Sequence, residues 1–70
     1  MMIEPGKRYL TRAGRTVRIE KFLEFTLDGN IVPGVYGVVE GGSNLPIVWH
    51  ADGSYMRNGQ AGLDLIEVVP

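Results

Sequence analysis

Cysteine is absent and histidine occurs once, at His50. Disulfides and thiolate ligands are thereby excluded, and one imidazole leaves too few donors for a four-ligand structural zinc site. No cofactor is expected. Long apolar runs are missing too, since none nears the roughly 18 residues of a membrane span. Residues 1–6 carry neither the basic stretch nor the apolar core of a signal peptide. A cytoplasmic protein without a membrane partner is the expectation.

Uninterrupted helical periodicity is also lacking. Ten glycines among 70 residues, about twice the ordinary share of roughly 7%, punctuate the chain too often for long helices. A chain this short makes one domain, residues 1–70, that buries only roughly 60% of its unfolded surface. With no disulfide or metal to help, association with further copies is the remaining support for a thin core.

Catalytic groups are sparse. Ser54, His50 and Asp52 share one hairpin, yet Asp52 is explained by the Asp-Gly turn and Ser54 by the strand after it. No phosphate-binding GxxxxGK[ST] loop occurs, and no helix follows Gly34, Gly37, Gly41 and Gly42. The acids fall in turns or on exposed faces rather than in pairs. The expectation is a protein that is not an enzyme.

What is present is a set of turns. Asp28-Gly29, Asp52-Gly53 and Asn58-Gly59 accept positive φ at low cost and lie between apolar runs, as hairpin connections do. Between them the period is two. Val17, Ile19, Leu23, Phe25 and Leu27 alternate with polar residues along one long strand, with a bulge or bend near Glu20-Lys21. A short strand at 7–11 precedes it, across the basic loop 12–15. Strands follow at 35–40, with Pro33 as its start, at 46–51, with Trp49 as the core anchor, and at 63–69, after residues 54–57. Gly37 marks close backbone approach, and residues 58–63 have room for one helical turn at most. The fold class is all-β: a small SH3-like or OB-like barrel of five or six short antiparallel strands. An open sheet paired across a dimer is the competitor.

Charge is distributed unevenly. Residues 1–21 hold Lys7, Arg8, Arg12, Arg15, Arg18 and Lys21 against Glu4 and Glu20, whereas Arg57 faces six acids in the remainder. Arginine forks grip phosphate and aromatic rings stack on bases. Arg12 and Arg15 are the candidate phosphate grip, Arg8 and Arg18 its supports, and Tyr9 and Tyr55 the candidate rings. Tyr9, Trp49 and another tyrosine are equally suited to filling the core. An isoelectric point near 5.7 argues against extended nucleic acid and for a compact anionic ligand. The alternative is a host protein docked on an acidic face of Glu40, Asp52, Asp64 and Glu67.

Three segments together, YLTRAGRTVRI at 9–19, WHADGSY at 49–55 and DLIEV at 64–68, resemble short accessory proteins common in bacteriophages and prophages. The likeness spans most of the chain. It implies a bacterial host cell as the setting and an anti-defence role: an oligomer that sequesters a cyclic or modified nucleotide, or a protein that masks a host enzyme.

Overall fold

A computed structural model describes residues 2–42, 46–55 and 61–70. Five strands form one antiparallel sheet: β1 (Arg8–Thr11), β2 (Thr16–Leu27), β3 (Asn30–Val39), β4 (Pro46–His50) and β5 (Leu65–Val69), with a 3-10 turn at Ala61–Leu63 before the last. The order across the sheet is β4-β3-β2-β1-β5. The first four strands are a meander, and β5 returns to the free side of β1. This is the small barrel-like all-β fold expected.

The local chemistry accounts for the elements. Asp28 (φ 51°) and Gly29 (φ 80°) both adopt positive φ, as a two-residue turn with strand-matched twist requires, and Leu27 pairs with Asn30 across them. The β2–β3 register shifts between Ile19 and Lys21, so the bulge sits where the alternation breaks. Its effect on the faces differs from the sequence expectation. Val17 and Ile19 point inward and are buried, but the extra residue reverses the parity beyond it. Leu23, Phe25 and Leu27 therefore share the outer face with Tyr36 and His50 rather than continuing the core stripe.

Three further boundaries moved. Pro33 lies inside β3, paired with Glu24, and not at its start. The β4 ladder begins only at Gly34, so Pro33 occupies an edge, where a missing N–H is tolerated. Ala51 belongs to a turn rather than to β4, and the last strand starts at Leu65 after the one helical turn that residues 58–63 could hold. Tyr55 is a single bridge to Trp49, and the Asn58-Gly59 turn lies outside the described residues.

The core comprises Ile3, Tyr9, Val17, Ile19, Val35, Trp49 and Leu65, with Thr11 also buried. No β4–β5 ladder closes it. The link is the turn after β4: Leu65 N–H donates to Gly53 O at 2.8 Å, His50 N–H to Ser54 O at 2.9 Å and Ile3 N–H to Ala51 O at 3.0 Å. Inside, the Trp49 indole N–H donates to Leu63 O at 2.8 Å, which ties β4 to the 3-10 turn.

Gly37 sits where β3 crosses the bend in β2. A Cβ there would stand 2.4 Å from Arg18 O, and backbone cannot swing aside as a flexible side chain can. Gly37→Ala is expected to cost roughly 1–3 kcal/mol, the range for overpacking, read as a lower urea midpoint. Gly62→Ala, whose Cβ would meet only Ala13 at 3.6 Å, should unfold close to wild type.

Candidate anion-binding site

Strand alternation turns Tyr9 and Thr11 inward and leaves Arg8 outward, and on β2 it does the same for Arg18 between Val17 and Ile19. The β1–β2 register then sets Arg8 directly opposite Arg18, and the next ladder sets Arg18 opposite Val38. Like charges facing each other across a ladder repel, and an acid offsets the repulsion. Glu40 accepts from Arg8 Nε at 2.8 Å and from Arg8 Nη2 at 3.1 Å, a two-point fork. The backbone N–H of Glu40 donates to Thr16 O at 2.8 Å, which fixes the carboxylate beside the two guanidiniums.

The electrostatics follow. The hydrogen bond from Arg8 holds the Glu40 carboxyl below its ordinary value, with partial desolvation opposing and the charges of Arg8 and Arg18 adding to the effect. Arg8 is raised in turn, first by that hydrogen bond and then by the charge of Glu40. Arg18 is less engaged, with only a 3.9 Å approach of Nη2 to Glu20 Oε2.

Arg8, Arg18 and Glu40, with Val38, Val39 and Gly41, line an open cleft of about 410 Å³, within the usual span of small-ligand sites. The Arg15 guanidinium lies over the neighbouring Gly42, its Nη2 3.3 Å from where a Cβ would stand. Arg15 thus borders the Gly41-Gly42 end of the cleft. Arg12 is exposed on a loop that is docked rather than free: Arg12 N–H donates to Asp64 O and Ala13 N–H to Gly62 O, both at 2.9 Å. Its side chain is not part of the cleft lining. The buried Thr11 stiffens the same loop, because its Oγ1 accepts from Arg15 N–H at 2.9 Å.

The aromatic residues divide differently from expectation. Tyr9 is 1% exposed and its hydroxyl accepts from Glu4 N–H at 2.8 Å, so its ring fills the core and offers no face for stacking. Tyr55 packs against the core, edge-on to Trp49 at 6.4 Å between centroids. The tyrosine on the outer face is Tyr36. It pairs with Lys21 one step along the ladder from Arg18, and Lys21 Nζ lies 5.3 Å from its ring centroid. Spacing alone could place Tyr36 two residues from Val38, but only the β2–β3 register brings Val38 to Arg18.

Most of the acidic residues proposed as a docking face serve the fold. Asp52 Oδ1 accepts from Ser54 N–H at 2.9 Å and from Ser54 Oγ at 2.7 Å, which lowers its carboxyl pKa. Asp64 Oδ1 accepts from Tyr55 N–H at 2.8 Å, and Glu40 is held by Arg8. Glu67 is exposed on β5. The Ser54 hydroxyl is directed to the carboxylate rather than to an imidazole, and His50 lies against Phe25 with ring centroids 5.4 Å apart. Compared with known proteins, the chain matches no family model, no curated protein and no solved structure.

Acid titration should read out these carboxylates. Folded-state values below the unfolded ones mean that the unfolded chain takes up protons first on acidification. The stabilisation from Glu40 and Asp52 is therefore complete above the ordinary carboxylate range and disappears as pH falls through their lowered values. Glu40→Gln should be less stable than wild type at neutral pH and match it at the acid end. The gap should be small and should narrow with salt, since the pair is exposed. Urea midpoints across an acid series provide the measurement.

Proposed function

We propose that this chain is a non-catalytic, homo-oligomeric binding protein of the phage accessory, anti-defence kind. It sequesters a compact phosphate-bearing ligand, such as a cyclic or modified nucleotide, in the cleft across β1, β2 and β3. The observation that carries the reading is the placement of Arg8 and Arg18 opposite one another on a rigid ladder, flanking a ligand-sized cleft. Two guanidinium forks on opposed ladder positions suit a multi-oxygen anion. Their mutual repulsion, only partly offset by Glu40, is relieved when a dianion binds.

Within this reading the roles shift toward the centre of the sheet. Arg8 and Arg18 grip the phosphate, Arg15 approaches from the glycine end, and Tyr36 is the ring beside the charge. Glu40 acts as an internal anion that a ligand must displace from Arg8 or share it with. The phage setting rests on the sequence resemblance alone. The acidic-face alternative draws less support, because three of its four carboxylates are already bonded within the chain.

Isothermal titration with a cyclic dinucleotide and with adenosine monophosphate tests the reading. Arg18→Ala and Arg8→Ala should each weaken binding about tenfold or more, the loss for a charge-assisted hydrogen bond worth roughly 1.5–3 kcal/mol. Glu40→Gln should bind more tightly than wild type, since Arg8 is then released. Unchanged affinity in the Arg8→Ala, Arg18→Ala double variant would overturn the site.

A further inference from the structure

The distal half of the β2–β3 hairpin has no flanking strand among the described residues. The β1 ladder ends at Arg18, and the last backbone bonds from the N-terminal segment fall on Ile19. The β4 ladder reaches β3 only from Gly34 onward. Residues 21–27 therefore pair only with β3, and 30–33 only with β2, and a two-stranded ribbon is marginal by itself in water. This ribbon is apolar on both sides. Leu23, Phe25, Leu27 and Val32 lie on the outer face, and Phe22 and Ile31 on the opposite one. Phe22 is 56% exposed and Ile31 72%.

The ribbon has two edges, and only one is guarded. On β3, Pro33 interrupts the free edge, as proline does where a sheet must not extend. On β2, residues 21–27 (KFLEFTL) contain no proline and offer a regular row of backbone groups. The two-residue turn makes Leu27 and Asn30 a mutually hydrogen-bonded pair, and such pairs alternate along an antiparallel ladder. Phe25 and Leu23 thus bond toward β3, while Thr26 and Glu24 direct their N–H and C=O groups to the open side.

We propose that this edge pairs with the same edge of a second copy, antiparallel across a two-fold axis at Phe25. The pairing joins two ribbons into a four-stranded sheet. A two-fold axis through the sheet keeps each face on its own side, so registers differ by steps of two residues. Centred on Glu24, the pairing would set two glutamates opposite each other. Centred on Leu23, it would leave Thr26 and Leu27 unpaired. Centred on Phe25, it sets Phe25 against Phe25, Leu23 against Leu27 and Glu24 against Thr26.

That register also matches the charges and the hydrogen bonds. Lys21 of each copy comes beside Asp28 at the turn of the other. Glu24 and Thr26, whose backbone groups face outward, become the hydrogen-bonded pair, and Phe25 becomes a close non-hydrogen-bonded one. Such an isologous contact closes on two copies and sets the apolar outer stripes of both side by side. The seam rests on the oligomeric half of the proposed function and not on its ligand. Subunit mass tests the seam while ligand titration tests the cleft, so either can fail alone.

Sedimentation equilibrium and engineered cysteines decide the matter, since the chain has none of its own to interfere. Wild type should be dimeric. Thr26→Pro removes one outward N–H and spares the β2–β3 ladder, so it should be monomeric with wild-type circular dichroism. Under mild oxidation Phe25→Cys should form a disulfide dimer, because opposed non-hydrogen-bonded pairs bring Cβ atoms closest. Glu24→Cys should remain largely uncrosslinked. A monomeric wild type, a dimeric Thr26→Pro or preferential crosslinking through Glu24→Cys would each overturn the proposal.

Discussion

One indole, with the backbone bonds of the turn after β4, holds this barrel shut. Antiparallel ladders join the five strands in a row, but the row ends at β4 on one side and β5 on the other, and among the described residues no ladder spans the gap. Trp49 fills it from within: fully enclosed among Ile3, Tyr9 and the other core residues, it donates its single N–H to Leu63 O. In a chain too short for a thick core, a large ring with one polar end supplies both buried area and direction. That hydrogen bond ties the 3-10 turn that leads into β5, the partner of β1, to β4. The site depends on it at one remove, because β1 carries Arg8.

Legibility from sequence followed the range of the interaction. Asp28-Gly29 declared its turn because the conformation is a property of two residues. Trp49 declared itself as the core anchor because only one ring of that size is present, and Gly37 because a glycine inside a strand asks for a reason. The face of Leu23, Phe25 and Leu27 could not be read, although the bulge could. Alternation states that residues share a side, whereas a bulge changes which side, and only the pairing of Lys21 with Tyr36 settles the parity. The same limit governed the candidate site. Four arginines were visible as a cluster, but which two face each other is a matter of register. Tyr9 and Tyr36 look alike along the chain and are separated only by the pleat.

The two ends of β2 carry opposite demands. Near Arg18 the strand is flanked on both sides, so two ladders set the backbone positions of its outward side chains. Past the bulge it keeps β3 but loses β1, and presents backbone and apolar surface on that side. Charge repulsion at one end and unpaired edge at the other are both unfavourable in an isolated monomer.

Glu20 gives this division an evolutionary meaning. One residue, inserted opposite no partner, is enough to send the apolar stripe of a strand from the interior to the exterior without altering any of the residues that compose it. Removing it would return Leu23, Phe25 and Leu27 to the inner side and carry Phe22 to the outer one. A lineage carrying such a strand can therefore gain or lose a sticky outer surface by a single-codon insertion or deletion. Variation of that kind among relatives would change assembly while leaving composition, length and core almost untouched.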